Sequence, residues 1–250
     1  MYYKKLKFVL PFVLISFIVS IILCISILPS PKIKRNSNMI FLDSNNNLIY
    51  EELHNQEGKY VELEKINKRT IDIFVAIEDK NFYNHLGIDG SRILKALYEN
   101  IKNMDITQGA STITQQLSKN LFLNDEQSYI RKIKEILISF LIEKSYSKDG
   151  ILEAYFNTLY FGHGIYGIQN AASFFFDKNT DNLSVAESAM LVGIINAPSI
   201  YSPYTNYEKS IEKFRVILTY LYEEKIVNYA EYLESYNYDF LFNFERKVTT

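Results

Sequence analysis

Residues 109–120 read GASTITQQLSKN, and this stretch combines a helix start with an unusual number of polar side chains. Thr112 and Gln115 have the spacing of a capping box, in which a threonine and a glutamine three residues later satisfy each other's free backbone amides. Ile113 and Leu117 stand four residues apart, which is typical of the buried face of a helix. The stretch therefore predicts a capped helix with one buried face.

Capping accounts for only part of the polarity in this stretch. Either Ser111 or Thr112 can serve as the cap. Four further polar side chains have no role in a cap, namely Thr114, Gln116, Lys119 and Asn120. A helix amino terminus presents free amides and partial positive charge, which suit phosphate, and Lys119 would add a mobile cation. The alternative is an ordinary capped surface helix.

The rest of the chain indicates a mostly α fold with a small β-hairpin region near the amino terminus. Residues 39–42 and 48–50 are short apolar runs on either side of an asparagine-rich turn, and residues 60–63 are a candidate extension of that hairpin. After residue 66 the apolar periodicity is helical. The segment 136–142, ILISFLI, is apolar on every face and predicts a central buried helix.

The amino-terminal region predicts a membrane anchor. Residues 8–28 contain no charged residue, and a helix of this length spans a hydrocarbon core of about 30 Å. A cleaved signal peptide is the competing interpretation, but its apolar region is usually about 7–15 residues and ends at small residues. We therefore expect a cytoplasmic tail (1–7), one transmembrane helix (8–28), a linker (29–37) and one domain (38–250).

Composition excludes two classes of function. The chain has 27 basic and 29 acidic residues, so it lacks the positive charge of a general nucleic-acid binder. Its three histidines and one cysteine form no spaced cluster, so a structural zinc site is not expected.

Two glutamates are candidate catalytic residues. Glu78 has Phe74 and Phe82 at helical spacing, and an acid on an apolar face has its pKa raised by desolvation. The alternative is an acid that merely reaches solvent at the end of a buried face. Glu135 follows Arg131 by four residues, and the alternative there is a satisfied ion pair. The sequence does not place the two glutamates together.

Four motifs, in order, resemble those of the peptidoglycan glycosyltransferases of glycosyltransferase family 51. They are EDKNFYNHLGID (78–89), GASTITQQLSKN (109–120), RKIKE (131–135) and KDGILEAYFN (148–157). The similarity covers about residues 38–225, and its order and spacing make it very specific.

The resemblance implies a lysozyme-like, mostly helical domain that polymerises lipid II into glycan strands. Glu78 would be the general base that takes the proton of the acceptor hydroxyl. Glu135 would assist at the departing diphosphate or position the substrate, directly or through a metal. The implied substrate-binding and supporting residues are Asp79, His85, Lys95, Ser111, Thr112, Gln115, Gln116, Lys119, Asn120, Arg131 and Lys132.

The resemblance also implies partners and a location. The partners would be lipid II, the growing lipid-linked glycan strand, the membrane and other cell-wall synthesis proteins, but no nucleic acid. No cofactor is certain; a divalent cation, Mg or Mn, at the diphosphate is a candidate without identified ligands. The protein would be a single-pass protein of the bacterial cell membrane, of the monofunctional type, with its catalytic domain on the outer face.

Two residues depart from the family pattern and leave alternatives open. Gln127 and Lys95 stand where the family usually has arginine, and lysine lacks the bidentate geometry of a guanidinium. The departures put substrate affinity in question more than reaction type, and Gln127 leaves open a catalytically weak or silent membrane-anchored scaffold. Two further alternatives, independent of these residues, are a lytic enzyme of lysozyme-like fold and the glycosyltransferase fragment of a bifunctional penicillin-binding protein.

Overall fold

A computed structural model describes most of the chain after its amino-terminal region. The described residues are 31–33, 40–42, 48–51, 59–95, 111–123 and 128–242. The predicted cytoplasmic tail, the predicted membrane span, most of the linker and Gln127 lie outside the described residues, so what the sequence predicts for them stays a prediction. Among the helices that are described, none is both long enough and apolar enough to cross a membrane.

The described part is mostly helical, which confirms the predicted fold class at this level. The helices are α1 (Lys68–Glu78), α2 (Ile113–Phe122), α3 (Tyr129–Ser145), α4 (Lys148–Thr158), α5 (Ile168–Phe176), α6 (Val185–Asn196), α7 (Pro198–Tyr201), α8 (Tyr207–Glu223) and α9 (Tyr229–Tyr236). Residues 90–95 are also helical. Short 3-10 helices lie at Leu63–Lys65, Phe82–Asn84 and Thr180–Asn182.

Two short strands, β1 (Ile40–Leu42) and β2 (Leu48–Glu51), pair antiparallel, with Ile40 opposite Glu51. The turn predicted between them lies outside the described residues. The predicted extension over residues 60–63 is wrong, because Leu63 begins a 3-10 helix. The backbone amides of Val61 and Leu63 donate to side chains of α4, Asn157 Oδ1 at 2.9 Å and Glu153 Oε2 at 3.1 Å, instead of to a strand.

Polar caps begin several helices, among them α2, where the spacing of Thr112 and Gln115 predicts one. At α2, the Gln115 backbone amide donates to Thr112 Oγ1 at 3.1 Å, and the Thr112 amide donates to Gln115 Oε1 at 2.9 Å. Ser184 and Glu187 form the same reciprocal cap at α6, and the Ser147 side chain caps α4. These caps fix where each helix begins, and therefore which residues reach the site.

The centre of the core is α6, since nine consecutive residues from Ala186 to Ile194 are buried. It packs against α1 and α8, while α2 packs against α3 and α4. The prediction that 136–142 forms a central buried helix is wrong: α3 buries only part of this segment, and Ile136, Leu137 and Ile138 are half-buried. Apolarity on every face does not ensure that every face is covered.

Candidate active site

Glu78 is the last residue of α1, and two amide side chains hold its carboxylate. Gln116 Nε2, from the first turns of α2, donates to Oε2 at 2.6 Å. Asn196 Nδ2, from the last residue of α6, donates to Oε1 at 2.9 Å. The Arg92 guanidinium donates to the backbone carbonyl of Glu78. Three helices therefore converge on one half-buried acid.

Burial raises the pKa of Glu78 above its ordinary value of 4.5. The hydrogen bonds from Gln116 and Asn196, together with the positive charges of Arg92 and Lys213, act in the opposite direction but do not cancel it. A carboxylate with a raised pKa binds a proton more readily, which is what a general base requires.

Asp79 joins the end of α1 to the start of α2. Its carboxylate is fully buried. His85 Nε2 lies 3.0 Å from both of its oxygens, and the Ile113 backbone amide donates to Oδ2 at 3.0 Å. Among the described residues, the Nδ1 atom of His85 finds no hydrogen-bond partner, although it is buried. Asp79 thus fixes the position of α2, and with it Gln116, relative to Glu78.

The loop after α1 packs closely on α3 and α4. Gly87 has a φ of +84°, and a Cβ there would lie 3.2 Å from the Ser139 backbone, so only glycine fits without strain. Lys148 Nζ donates to the His85 carbonyl at 2.7 Å and lies 4.4 Å from the centre of the Phe82 ring. These contacts hold the loop that carries Asp79 and His85.

A second carboxylate, Glu135, lies buried on α3 between two cations. Arg131 Nη1 donates to its Oε2 at 2.9 Å, and Lys132 Nζ donates to its Oε1. Lys132 Nζ also donates to Ser111 Oγ at 2.9 Å, and Ser118 Oγ donates to the Glu135 carbonyl at 3.1 Å. Positive charge is therefore concentrated beside the amino terminus of α2, an arrangement suited to binding an anion.

The helix α2 contacts both glutamates, the carboxylate of Glu78 and the backbone carbonyl of Glu135, which the sequence alone does not place together. Gln116 contacts Glu78, whereas Ser118 contacts Glu135. The two candidate catalytic residues therefore flank one helix.

The remaining predicted site residues differ in their surroundings. Thr112 and Gln115 are buried, and their polar groups serve the helix start; Thr112 Oγ1 also donates to the Gly87 carbonyl at 2.7 Å. Lys119 is half-buried on α2, while Asn120 and Lys95 are exposed. Substrate contact by any of these five residues stays a prediction.

Four residues of the site escape sequence reasoning: Arg92, Asn196, Lys213 and Tyr155. Asn196 is 118 residues from Glu78 in sequence. Tyr155 lies within the fourth motif, so its position was a usable signal. Arg92 contacts a backbone carbonyl, and a residue pattern does not reveal such a contact.

The donor atoms present do not suit a divalent cation held by the protein. Both oxygens of Glu135 already accept from cationic side chains, and both oxygens of Glu78 accept from amides. Within the described ranges, no three His, Cys, Asp or Glu residues are grouped as metal ligands. A cation at the diphosphate stays a prediction, and no step below depends on one.

Comparisons with known proteins give a consistent result. A family model described as transglycosylase matches residues 45–222. The chain is 41% identical over 179 residues to penicillin-binding protein 1F of Bacillus subtilis (strain 168), covering 72% of this chain and 25% of that protein. It is 41% identical over 182 residues to penicillin-binding protein 1A of Aquifex aeolicus (strain VF5), covering 73% and 25%.

A solved structure, penicillin-binding protein 1A from Haemophilus influenzae, aligns over 84% of this chain and 22% of the chain in that structure. The TM-score is 0.46 and the identity 20%, below the level at which a shared fold is assigned. The chain spans about a quarter of the length of the curated relatives it matches.

Proposed function

Since the chain belongs to the transglycosylase family, we propose that it is a peptidoglycan glycosyltransferase that polymerises lipid II into glycan strands. The observation that carries the proposal is Glu78, a desolvated carboxylate with a raised pKa and both oxygens held by amide donors. The fold that fits this activity is a lysozyme-like, mostly helical domain.

In this mechanism Glu78 removes the proton from the 4-hydroxyl of the acceptor lipid II. The hydroxyl oxygen forms a bond to the anomeric carbon of the growing strand, whose bond to the diphosphate breaks. The diphosphate leaves with the bonding electron pair, and inversion converts the α-linked donor into a β-1,4 linkage. Oε1 of Glu78 is the better placed oxygen, because its partner Asn196 is exposed and Gln116 holds Oε2 in a less exposed position.

The departing diphosphate would lie at the amino terminus of α2. Arg131 and Lys132 would balance its charge there, as electrostatic catalysis requires, while Glu135 keeps both cations in position. Ser111 Oγ already accepts from Lys132, so it would share the same phosphate region. Lys119, Asn120 and Lys95 would contribute further contacts to the lipid-linked substrate.

A location at the outer face of the bacterial membrane suits a lipid-linked substrate. The apolar segment 8–28 would anchor the chain. Large apolar side chains are also exposed beside both halves of the site: Leu86, Leu94, Tyr129, Ile130 and Ile133. Exposed apolar groups of this kind would be covered by lipid when the domain lies on the bilayer.

Incubation of the purified protein with labelled lipid II tests the proposal. We expect glycan polymer from the wild type and none from Glu78→Gln. Shortening of preformed strands without polymerisation would indicate the lytic alternative, and an inert wild type would indicate the scaffold. A domain of a larger bifunctional protein would carry the same site, so the same assay applies to it.

A further inference from the structure

Tyr155 lies at the start of a hydrogen-bonded chain that ends at the proposed base. The residue belongs to α4 and is fully buried. Its hydroxyl donates to Gln116 Oε1 at 3.3 Å, and Gln116 Nε2 donates to Glu78 Oε2 at 2.6 Å. A residue of the core thus contacts Glu78 through one amide side chain.

Each link of this chain favours one polarity. An ionised carboxylate only accepts hydrogen bonds, so the NH₂ group of Gln116 faces Glu78 and the amide oxygen faces Tyr155. Burial raises the pKa of Tyr155 well above its ordinary value of 10.0, and the charges of Glu78 and Asp79 add to this effect. The phenol therefore keeps its proton and donates it to the amide oxygen.

The buried ring alone does not require a tyrosine. One neighbour is aromatic, since the Phe156 ring centre lies 5.8 Å away in an edge-on contact, and a phenylalanine at position 155 would fill the same space. A hydroxyl taken out of water is costly unless it has a specific hydrogen-bond partner. Gln116 is that partner, so the role of the hydroxyl is its hydrogen bond to the Gln116 amide.

Building on the proposed function, we infer that Tyr155 is a positioning residue that acts on Glu78 through Gln116. Its hydroxyl holds the Gln116 carboxamide in the orientation that donates to the base. Without the hydroxyl, the amide is free to turn its oxygen toward a protonated Glu78, which would stabilise the protonated form. The other charged groups that act on Glu78 are Arg92 and Lys213, and Asp79 acts on the Tyr155 hydroxyl; Tyr155→Phe leaves all three side chains in place.

The test is the pH dependence of kcat/KM for lipid II polymerisation by Tyr155→Phe. We expect the acidic limb of this pH profile to move to higher pH by about 0.5–1 unit, which corresponds to the free energy of one ordinary hydrogen bond. Activity should approach that of the wild type at higher pH, where Glu78 is ionised in both proteins. Tyr232→Phe removes a tyrosine hydroxyl from α9, remote from this chain of contacts, and should leave the limb in place.

Gln116→Leu provides a second variant, because it removes the amide that connects Tyr155 to Glu78 and lies at a half-buried position. Its acidic limb should also move upward, and adding Tyr155→Phe to it should cause no further movement. An unchanged limb in Tyr155→Phe, or a loss of activity in that variant that is equal at every pH, would overturn the inference.

A measurement without turnover separates this inference from the proposed function. In protein carrying ¹³C-labelled glutamate, the carboxyl signal of Glu78, assigned by its loss in Glu78→Gln, reports its titration directly. Tyr155→Phe should raise the titration midpoint whether or not the wild type polymerises lipid II. If the wild type makes no polymer but Tyr155→Phe still raises the midpoint, the proposed activity is rejected and the inference about Tyr155 stands.

Discussion

Glu78 and Glu135 are two carboxylates beside the same helix, yet their surroundings differ in kind. Neutral amides of Gln116 and Asn196 hold the oxygens of Glu78. Charged groups of Arg131 and Lys132 hold the oxygens of Glu135. Within the described part of the chain, no cationic side chain bonds directly to the oxygens of the desolvated Glu78, whereas two cationic side chains bond to those of Glu135.

This difference indicates different tasks for the same type of side chain. A carboxylate held by amides retains affinity for a proton, because hydrogen bonds offset desolvation only in part. A carboxylate held by two cations is costly to remove, and it keeps those cations in place. We therefore expect substitutions at Glu78 to affect proton transfer, and substitutions at Glu135 to affect stability and the binding of the anionic substrate.

The largest expected effect is that of Glu78→Gln on kcat. Loss of a general base should lower kcat by about 10²–10⁴-fold. Because folding raises the pKa of Glu78, the ionised form destabilises the protein at pH values above that pKa, so the amide variant should be at least as stable at neutral pH. Single-turnover kinetics and thermal unfolding measure the two effects.

Glu212→Gln, the same change at an exposed position of α8, is the matched control and should alter neither quantity. A Glu78→Gln protein that unfolds more readily at neutral pH would contradict the view that its carboxylate is poorly solvated.

The opposite effect on stability is expected for Glu135→Gln. Two cations would lose their counter-ion, and we expect a loss of about 1–3 kcal/mol, less than for a fully buried pair because Lys132 is partly exposed. The KM for lipid II should rise more than kcat falls, because the cations that bind the diphosphate are no longer held. Urea unfolding and steady-state kinetics provide the measurements. A stable variant with only kcat reduced would remove the distinction between the two carboxylates.

The pH profile provides a third, smaller effect. In the wild type, kcat/KM should rise with pH through a midpoint above 4.5, since burial raises the pKa of Glu78. Glu135→Gln should move this midpoint downward, because the neighbouring cluster becomes more positive and favours ionised Glu78. Gln116→Leu should move it upward. Shifts in the same direction for both variants would show that the two surroundings are not electrostatically distinct.

Local features of this site were predictable from the sequence. The caps at Thr112, Ser147 and Ser184 depend on spacings of three residues, which a sequence shows directly. The apolar setting of Glu78 and its effect on the pKa followed from helical spacing. Interactions between residues close in sequence depend on local spacing, so the helix starts and the candidate base could be predicted from the sequence.

Long-range features were not predictable in this way. The contact between Asn196 and Glu78 depends on how α6 packs against α1, and no local pattern encodes that packing. The incorrect prediction of the centre of the core has a related cause. Segment 136–142 is apolar on every face but only partly buried, and composition does not show which faces of a helix are covered by other helices. The family resemblance placed the motifs in one site without revealing the contacts among them.

The smallest expected effect is that of Asn196→Ala, which removes the donor to Oε1. The side chain is exposed, so water can replace its hydrogen bond, and we expect kcat/KM at neutral pH to fall only about two- to fivefold. The acidic limb should move upward by less than in Gln116→Leu, since the Gln116 contact is the less exposed of the two. Asn237→Ala, at the end of α9, is a matched control that should change neither value. A larger shift for Asn196→Ala than for Gln116→Leu would show that the hydrogen bond to Oε1 matters more than the one to Oε2. The exposed amide would then be the main determinant of the proton affinity of Glu78.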